Sequence, residues 1–422
     1  MAKWPKVKLA DCVNLLTGFP FKSQQFTDKS EDVPLVKGEN VSQGCILWDI
    51  SKRWPAADWP QMEKFQLHPG DVVVAMDRPW IPAGLKWSYI RKGDPNALLV
   101  QRCARLRSSN GRLDQDFLRF VIGGPGFEGY VKPITTGVNV PHISGQQILD
   151  YEFTLPPLPV QRRIAGILSA YDELMENSQR RIRILEAMAR ALYREWFVHF
   201  RFPGHETHPR VASPLGDIPK GWEVKTVADS FEISGGGTPS RKEDKYWNGG
   251  TIQWFSPSDL TAAGTMFMDN SSDHITELGL AESSARLFPA RSVMLTSRAT
   301  IGAIAINTHE ACTNQGFITC LPNERVPLYF LFYWVTENVP TFQRMASGAT
   351  FKEISRGVFK TIEFIQPPTK LVRRFEESVA PMVEQVLTLQ RQIQNLRRTR
   401  DLLLPRLLSG QVELSAVGAA SL

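Results

Sequence analysis

A long helical pattern that occurs twice constrains this chain more than any other feature. The first copy reads LPPLPVQRRIAGILSAYDELMENSQRRIRILEAMARALYREWFVHFRF, from Leu155 to Phe202. Its apolar residues recur at three- and four-residue steps, which is the period of one apolar stripe along an α-helix. About 40 residues at a rise of about 1.5 Å form a rod of roughly 60 Å. A stripe of that length needs a second apolar surface to cover it.

The second copy supplies that surface within the same chain. It begins at Pro367, 211 positions after the matching Pro156. We expect the two helices to pack against each other through Ile164, Leu168, Tyr171, Met175, Ile182, Leu185, Phe375, Val379, Val386 and Ile393. Pro381 and Pro405 lie inside the second copy. We therefore expect this helix to kink or break at Pro381 and to be the shorter of the two.

The globular segments before each helix also repeat, so the chain is a duplication of one half. The matched positions are Arg78 with Arg298, Gln101 with Gln315, and Ile143 with Ile354. The predicted domains are a globular unit at 1–154, a long helix at 155–203, a linker at 204–221, a second unit at 222–366, a second helix at 367–410 and a flexible tail at 411–422. Shared framework residues with different residues between them are typical of a duplicated recognition protein whose halves bind different targets.

Composition places the chain among ordinary globular proteins. At 422 residues it is long enough for two cores. The five cysteines are scattered without a CxxC pair, which favours reduced thiols in a cytoplasmic protein. The first residues lack the apolar run of a signal peptide, and no run of 18 apolar residues predicts a membrane span.

Positive charge is concentrated on the two helical segments. The whole chain carries a formal charge of +6, while 160–201 carries +3 and 370–410 carries +4. One interpretation is that these charges simply cover the solvated backs of long helices. The other is that a basic surface faces a polyanion or an acidic partner protein. Both interpretations remain open at this level.

Candidate DNA contacts are the side chains in repeated loops that can hydrogen-bond to base edges or phosphates. In the first unit they are Lys37, Asn40, Arg78, Gln101, Arg102, Asn139 and His142, and in the second they are Arg241, Lys242, Arg298, Thr300, Asn314, Gln315 and Lys352. An arginine present in both halves favours phosphate contact, because halves that bind different sequences need different base contacts. Asn139 and His142 have no identical counterpart and are favoured for specificity.

No catalytic or metal-binding constellation stands out. The glycine-rich loop from Ser234 to Ser240 lacks the GK[ST] ending of a phosphate-binding loop. The tetrapeptide from Gln366 to Thr369 lacks the Asn or Asp with which amino-methyltransferases hold a flipped base. The linker histidines have no acidic or cysteine companions at metal-ligand spacing. These patterns indicate a protein that lends specificity to chemistry done by others.

The chain resembles the specificity subunits of type I restriction-modification systems. The resemblance rests on PPLPVQRRIAGILSAYDELMENSQRRI, its copy from Pro367, LGDIPKGWEV at 215–224, and the loops MDRPWIPAG and TSRATIGA. It implies an α+β fold with two target recognition domains related by a pseudo-two-fold axis. Two long antiparallel helices, forming a coiled-coil spacer, would separate these domains.

The same resemblance implies a function in host defence. Each recognition domain would bind one half of a split, asymmetric site in double-stranded DNA. The subunit itself would be non-catalytic and bind no cofactor; two methyltransferase subunits and two restriction-translocase subunits would carry S-adenosylmethionine, ATP and Mg²⁺. Because the globular units carry almost no net charge, we expect weak DNA binding by the isolated chain and tight binding only in the complex.

Three other functions remain compatible with the residues. A transcriptional regulator would bind its site alone and would need more positive charge on the globular units. An interaction scaffold would use the helix pair to bind proteins, and its assembled complex would not depend on DNA. An enzyme fused to a recognition domain would need the cofactor or metal motifs that the sequence does not display.

Overall fold

The computed structural model describes residues 4–135, 141–348 and 351–411. The chain forms two compact units. Unit one comprises Met1–Leu174 together with Asn395–Leu422, and unit two comprises Met175–Gln394. Each long helix therefore contributes one part to each unit.

Unit one is built on two four-stranded sheets. Its strands are β1 (Lys6–Lys8), β2 (Val13–Thr17), β3 (Val33–Val36), β4 (Arg53–Trp54), β5 (Gln66–Leu67), β6 (Val72–Ala75), β7 (Trp80–Ile81), β8 (Gly84–Leu85), β9 (Trp87–Tyr89), β10 (Ala97–Leu99), β11 (Cys103–Ser108) and β12 (Glu152–Thr154). The sheet orders are β4-β3-β10-β5 and β2-β11-β6-β9, with β1-β12 and β7-β8 as separate pairs. Its short helices are α1 (Gln115–Ile122), α2 (Pro125–Ile134) and α3 (Gly145–Leu149).

Unit two repeats this plan with one larger sheet. The remaining helices of the chain are α4 (Leu158–Tyr193), α5 (Val227–Ser230), α6 (Pro257–Ala263), α7 (Glu277–Ala281), α8 (Leu328–Met345), α9 (Arg356–Lys360) and α10 (Thr369–Leu408). The strands of unit two are β13 (Arg210–Val211), β14 (Ile218–Pro219), β15 (Glu223–Thr226), β16 (Glu232–Gly235), β17 (Ile252–Phe255), β18 (Phe267–Met268), β19 (Asp273–Ile275), β20 (Val293–Thr296), β21 (Ile304–Asn307), β22 (Ala311–Thr313), β23 (Phe317–Leu321) and β24 (Glu363–Gln366). The sheet orders are β16-β23-β20-β21-β18 and β19-β17-β22, with β15-β24 and β13-β14 as pairs.

The strand pairings of the two units correspond one to one in the region that holds the candidate site. β2-β11-β6 corresponds to β16-β23-β20, and both sets are antiparallel. The parallel pair β3-β10 corresponds to the parallel pair β17-β22. Cys103 pairs with Ala75 in unit one, and Phe317 pairs with Thr296 in unit two. These strand registers make Cys103 equivalent to Phe317. The predicted duplication is therefore present in the backbone.

Short 3₁₀ turns and one π turn complete the elements. The 3₁₀ segments are Leu9–Asp11, Ser23–Gln25, Trp48–Ile50, Ala56–Phe65, His205–Thr207 and Asp244–Tyr246. The π turn, Arg194–Val198, continues directly from α4. Phe200 then adopts a positive φ of 57° and ends the run. The first helical stretch therefore stops before residue 203, in agreement with the proline that follows Phe202 in the sequence.

The second long helix contradicts the expectation of a break. α10 runs without interruption for 40 residues, and α4 has 36 residues followed by the five of the π turn, so the two helical runs are nearly equal in length. Pro381 removes one backbone hydrogen bond at a cost of about 3 kcal/mol. Val379, Val383 and Val386 are buried on both sides of it, and each contributes about 1.5–3 kcal/mol. Burial outweighs the lost bond, so the helix continues, and Pro405 likewise lies inside it.

The ten predicted helix-packing residues lie at buried or half-buried positions. In unit one, Ile164 and Leu168 share a core with Leu404 and Leu407 near the end of α10. In unit two, Phe375, Val379 and Val386 share a core with Ile182 and Leu185. The start of α4 therefore meets the end of α10, and later turns of α4 meet the start of α10, as in an antiparallel pair. Met175 and Ile393 are buried and Tyr171 is half-buried.

Two further features concern the predictions about membrane spans and cysteines. No helix among residues 4–135, 141–348 and 351–411 is long and apolar enough to cross a lipid bilayer. The five cysteines are free thiols, four of them buried.

Candidate nucleic-acid interface

Each unit has one edge where the carboxyl ends of its parallel strands meet the end of a central antiparallel strand. In unit one this strand-end edge consists of residues 37–39 after β3, 77–78 after β6 and 101–102 after β10. In unit two it consists of residues 256–257 after β17, 297–300 after β20 and 314–315 after β22. Loops at such positions are held by the sheets while their side chains stay accessible. Nine of the fourteen predicted contact residues lie within these segments or directly beside them.

In unit one the edge surrounds an open pocket of about 510 Å³. Four predicted residues line it, namely Lys37, Arg78, Gln101 and Arg102. The other lining residues are Phe21, Ser23, Phe26, Gly38, Glu39, Asp77, Lys86 and Val100. Tertiary structure thus brings together four predicted residues that are up to 65 positions apart in sequence.

Backbone hydrogen bonds around the edge correspond in the two units and fix the residue pairing. Ile143 N donates to Met76 O, and Ile354 N donates to Ser297 O. Three further pairs of bonds match. Met76 N donates to Arg102 O as Ser297 N donates to Gly316 O, and Arg78 N donates to Pro141 O as Ala299 N donates to Lys352 O. Val100 N donates to Val36 O as Asn314 N donates to Phe255 O. The predicted pairs Ile143–Ile354 and Gln101–Gln315 follow this register and are confirmed.

The predicted pairing of Arg78 with Arg298 is wrong by one residue. The matched bonds make Arg78 equivalent to Ala299 and Asp77 equivalent to Arg298. Backbone conformation agrees, because Arg78 and Ala299 both have positive φ angles, of 45° and 61°. Residues other than glycine seldom adopt this conformation, and it clusters at functional sites. An arginine shared by the two halves was the reason to favour phosphate contact for both, and that reason disappears.

The corrected register reveals a contact between an acidic and a basic side chain whose order is inverted in the two units. In unit one the Asp77 carboxylate contacts His142 Nδ1 at 2.7 Å. In unit two Arg298 Nε lies 3.7 Å from Glu353 Oε2. The strand end thus carries the acid in one unit and the base in the other. Carboxylates accept hydrogen bonds from cytosine or adenine amino groups, whereas arginine donates to guanine, so the two edges differ in what they can bind.

Asp77 is the centre of a small network in unit one. It accepts a 2.6 Å hydrogen bond from Arg102 Nη1 as well as the contact with His142. Burial disfavours its ionised form, but the hydrogen bonds from Arg102 and His142 outweigh burial and hold the pKa of the Asp77 carboxyl below its usual range. Asp77 therefore stays ionised and fixes two exposed donor side chains at the edge.

Lys86 is a functional candidate that sequence reasoning missed. It follows the predicted loop rather than lying in it, and its ammonium group donates to the carbonyl oxygen of Gly38 inside the pocket. Burial of the ammonium group lowers the pKa of Lys86, and the positive charge of Arg78 acts in the same direction. No motif marks this position, so only the folded backbone could identify it.

Asn40 does not belong to the interface. It is 1% exposed, its Oδ1 accepts from Lys37 N at 2.8 Å, and its Nδ2 donates to Leu35 O at 3.0 Å. In unit two Asp259 makes the equivalent bond, accepting from Ser256 N at 2.7 Å. Both side chains close the turn after the parallel strand, and the prediction of a DNA contact for Asn40 is wrong.

The unit-two edge presents amides and a hydroxyl. Gln315 is exposed and accepts a 2.7 Å hydrogen bond from Thr238. Asn314 is half-buried and its Oδ1 accepts from Gly316 N at 2.8 Å, so part of its hydrogen-bonding capacity is already used. Thr300 and Lys352 are exposed. The amides and the hydroxyl suit hydrogen bonding to base edges, while Lys352 adds an exposed positive charge.

Arg241 is held by neighbouring aromatic rings rather than projecting freely. Its guanidinium lies 3.6 Å from the ring centroid of Trp247 and 4.9 Å from that of Trp254. It also donates to Asp273 at 2.5 Å. These contacts occupy the guanidinium group, so Arg241 stabilises its own loop. The neighbouring Lys242 is exposed. Asn139 lies outside the described residues.

The glycine-rich loop after Ser234 is a packing feature. A Cβ at Gly236 would overlap the carbonyl oxygen of Asn314, and one at Gly237 would overlap Ser284. Gly18 of unit one is equivalent to Gly236, and a Cβ at Gly18 would overlap the carbonyl oxygen of Val100. Both units therefore require glycine at the end of this strand, β2 in unit one and β16 in unit two, where it passes the edge.

Comparison with known proteins decides the family. Residues 1–187 and 219–371 match the type I restriction modification DNA specificity domain. The chain belongs to this family. The second matched segment lies within unit two, and the first begins in unit one and ends inside α4. The resemblance inferred from the repeated helices is confirmed.

Curated specificity subunits resemble the chain in part and over its full length. The type I restriction enzyme MjaIX specificity subunit of Methanocaldococcus jannaschii is 37% identical over 155 residues, which is 36% of each chain. The chain thus spans about a third of that relative. The type I restriction enzyme HindI specificity subunit of Haemophilus influenzae is 22% identical over 475 aligned residues, covering 98% of this chain and 100% of the relative.

A solved structure shares the fold. The crystal structure of the type I restriction-modification system S subunit from M. genitalium matches with a TM-score of 0.61, covers 96% of both chains and is 15% identical. The predicted α+β class, with two similarly built globular units and two long helices, is confirmed for this specificity-subunit chain. At that identity, the likeness concerns the fold.

Proposed function

We propose that this chain is the DNA-recognition subunit of a type I restriction-modification complex in which each unit binds one half of a bipartite, asymmetric site. The observation that carries the proposal is the pair of strand-end edges. Their backbone hydrogen bonds correspond one to one, while the side chains presented at corresponding positions differ in charge and hydrogen-bonding character. This is what two readers of different sequences require.

The inverted pair supplies the clearest difference between the half-sites. At the same backbone position unit one has Asp77 and unit two has Arg298. An arginine that can reach a guanine edge donates two hydrogen bonds, whereas an acidic centre with Arg102 and His142 around it presents donors of different geometry. Exchanging one such contact for another changes base preference by about 1–3 kcal/mol.

The long helices would set the spacing and bind partner proteins. A rod of 36 or 40 residues is about 54 or 60 Å long. That scale is sufficient to hold two readers about one turn of B-DNA, roughly 34 Å, apart. We propose that the basic, solvent-facing sides of the helices dock two methyltransferase subunits, with two restriction-translocase subunits completing the assembly.

Chemistry would lie on those partners. In this proposal the chain directs adenine methylation or restriction, and S-adenosylmethionine, ATP and Mg²⁺ are bound by the other subunits. The isolated chain binds DNA weakly, because its globular units carry little net charge and phosphate neutralisation supplies most non-specific affinity. Tight specific binding by the chain alone would instead support an independent DNA-binding regulator.

Mapping of methylated adenines tests the proposal directly. The chain is co-expressed with the methyltransferase subunit of its system, and N6-methyladenine is located by single-molecule sequencing. We expect two short half-sites separated by a fixed gap. Absence of any motif, although the methyltransferase is bound and supplied with methyl donor, would contradict the proposal and favour an interaction scaffold.

Pair-inversion variants then assign each half-site to a unit. Asp77→Arg with His142→Glu keeps opposite charges in contact and should alter one half only. Arg298→Asp with Glu353→His should alter the other half only. Inversion of the exposed pair Lys8–Asp150, whose charged atoms are 3.6 Å apart away from the edge, is the control and should leave the motif unchanged.

A further inference from the structure

The unit-one pocket contains four cations whose matched positions in unit two hold uncharged residues. Lys37, Arg78, Lys86 and Arg102 line it together. Matched backbone hydrogen bonds give the corresponding unit-two residues as Ser256, Ala299, Ala303 and Gly316. Every cation of the pocket is thus replaced by a small uncharged residue in the other half. A difference of this kind points to a ligand group that only unit one binds.

The register of the remaining two positions is secured independently. Ala75 N donates to Lys86 O, and the matching Thr296 N donates to Ala303 O. Lys37 N donates to Asn40 Oδ1, and the matching Ser256 N donates to Asp259 Oδ2. The four substitutions therefore occur at equivalent backbone positions and do not arise from a shift in alignment.

Only two of the four cations are neutralised within the protein. Lys37 Nζ lies 2.9 Å from Glu39, and Arg102 Nη1 lies 2.6 Å from Asp77. Arg78 and Lys86 form no ion pair in the described part of the chain. The charge balance of the lining is therefore positive, and the two uncompensated charges face the same cavity.

The position of Lys86 makes this excess costly without a ligand. Its ammonium group is half-buried and hydrogen-bonded to a backbone carbonyl rather than to an acid. Desolvation disfavours the protonated form and lowers the pKa of Lys86, although the carboxylates of Glu39 and Asp77 act in the opposite direction. A bound anion would relieve the cost and would also attract Arg78, which is exposed at the rim. Phosphate suits this arrangement, because its oxygens accept several charge-assisted hydrogen bonds at once.

We propose that the unit-one pocket binds a backbone phosphate of DNA next to its half-site and that unit two has no equivalent phosphate site. The inference rests on the proposed function, since it assumes that the strand-end edges face DNA. The two halves of the target are then held differently. Unit one adds an electrostatic, sequence-independent contact, whereas unit two depends on hydrogen bonds from side chains such as Gln315.

The test compares salt dependence of binding in the assembled complex with the methyltransferase subunits. Arg78→Ala with Lys86→Ala installs the unit-two residue type at both positions. Each lost phosphate contact lowers the slope of log affinity against log salt by about 0.9, so the affinity change over a fourfold salt range should shrink about threefold. The methylated motif should stay the same. Lys29→Ala with Lys92→Ala removes two exposed charges elsewhere in unit one and should leave the slope nearly unchanged.

A reciprocal graft guards against a merely unstable variant. Ala299→Arg with Ala303→Lys introduces the two cations into unit two and should raise the slope and the affinity at low salt. An unchanged slope in both the alanine variant and the graft overturns the inference. So does a changed half-site with an unchanged slope, because the pocket would then contact bases. Stabilisation of the wild-type complex by inorganic phosphate or ATP without DNA, lost in the alanine variant, would reassign the pocket to a small anion.

The proposed function and this inference fail in distinguishable ways. If the wild-type complex yields no bipartite motif, the recognition function itself is wrong. If it yields the motif and binds DNA with the same salt dependence as the alanine variant, recognition holds and only the phosphate site is wrong.

Discussion

The two strand-end edges share a backbone and differ in chemistry. Unit one surrounds a pocket with cations, and unit two presents Gln315, Thr300 and small residues on the same framework. The hydrogen bonds that match are between backbone atoms, whose positions are set by sheet register. Side chains that point off the edge are not constrained by that register. Duplication therefore preserved the scaffold and left the contact surface free to diverge.

The two ends of the helix pair extend this comparison to the cores. Phe375 is fully buried, with its ring centroid 5.1 Å from that of Phe197 and 5.8 Å from that of Tyr193. The corresponding Ile164 belongs to a core with the aliphatic residues Leu404 and Leu407. The matched position thus holds an aromatic ring in unit two and an aliphatic side chain in unit one.

Truncation of these residues should have the largest effect on stability. Phe375→Ala is expected to cost about 3–5 kcal/mol and Ile164→Ala about 2–5 kcal/mol, since each leaves a cavity. Calorimetry gives the total loss, and hydrogen exchange followed by mass spectrometry assigns it to a unit. Exchange that accelerates equally throughout the chain after either change would contradict two separate cores.

A half-buried carboxylate on α10 should add its own pH dependence to the stability of unit two. Glu376 accepts a 2.6 Å hydrogen bond from Phe330 N in the first turn of α8, and burial raises its pKa to about 7. Because this carboxyl ionises near 4.5 when unfolded, its contribution is most favourable below that pH and is lost as pH rises through about 7. Glu376→Gln should therefore gain stability relative to the wild type above pH 7, by up to about 3 kcal/mol.

Unit one provides the matched control. The neutral Gln161 is fully buried and accepts a 2.7 Å hydrogen bond from Asp114 N, just before α1. Gln161→Glu should introduce a loss of stability with rising pH, while Glu376→Gln removes one. Thermal unfolding between pH 5 and pH 8 measures both. Parallel pH profiles for the wild type and Glu376→Gln would show that the carboxyl does not titrate as its burial implies.

Glycine substitutions test whether the two edges share the same steric requirement. Gly18→Ala and Gly236→Ala each place a methyl group against a carbonyl oxygen and should each cost about 1–3 kcal/mol. Gly166 is the control, because a Cβ there would meet no neighbouring atom within 4 Å. Gly166→Ala in the interior of α4 should be neutral or stabilising. A loss at only one edge, measured by thermal unfolding, would show that the correspondence fails at this strand.

Breaking the inverted pair should have the smallest effect on stability. Arg298 and Glu353 are about half exposed, so Glu353→Gln should change the free energy of unfolding by less than about 1 kcal/mol. The same variant should change the preferred base at its half-site if the pair acts in recognition. A large loss of stability with an unchanged motif would make the pair a structural element.

Much of the fold could be predicted because it depends on periodic patterns. The helices α4 and α10 were recognisable from apolar spacing, and the pairs Gln101–Gln315 and Ile143–Ile354 from repeated loops. The continuation of α10 through Pro381 could not be recognised in this way, because it depends on the valines that are buried around the proline. A local rule about proline cannot include the free energy of tertiary burial.

The candidate site was predictable only in outline. Lys37, Arg78, Gln101 and Arg102 were identified by residue type and do line one pocket. Asn40 also has an amide side chain, but its amide groups are hydrogen-bonded to the backbone of Lys37 and Leu35 in the same turn and are not available to a ligand. Lys86 lacks any motif, since it reaches the pocket from a neighbouring strand segment.

By itself the sequence determined that the chain is a duplication with two long amphipathic helices and the family to which it belongs. These properties are carried by spacing and repetition along the chain. Tertiary structure alone decided that Asp77, and not Arg78, is the residue equivalent to Arg298, and that four cations meet in one pocket while the four matched residues of unit two are uncharged. The reason is physical: two similar loops can be aligned one residue out along the chain, whereas strand register fixes which side chain lies at each position, so only the paired backbone atoms show which residues are equivalent.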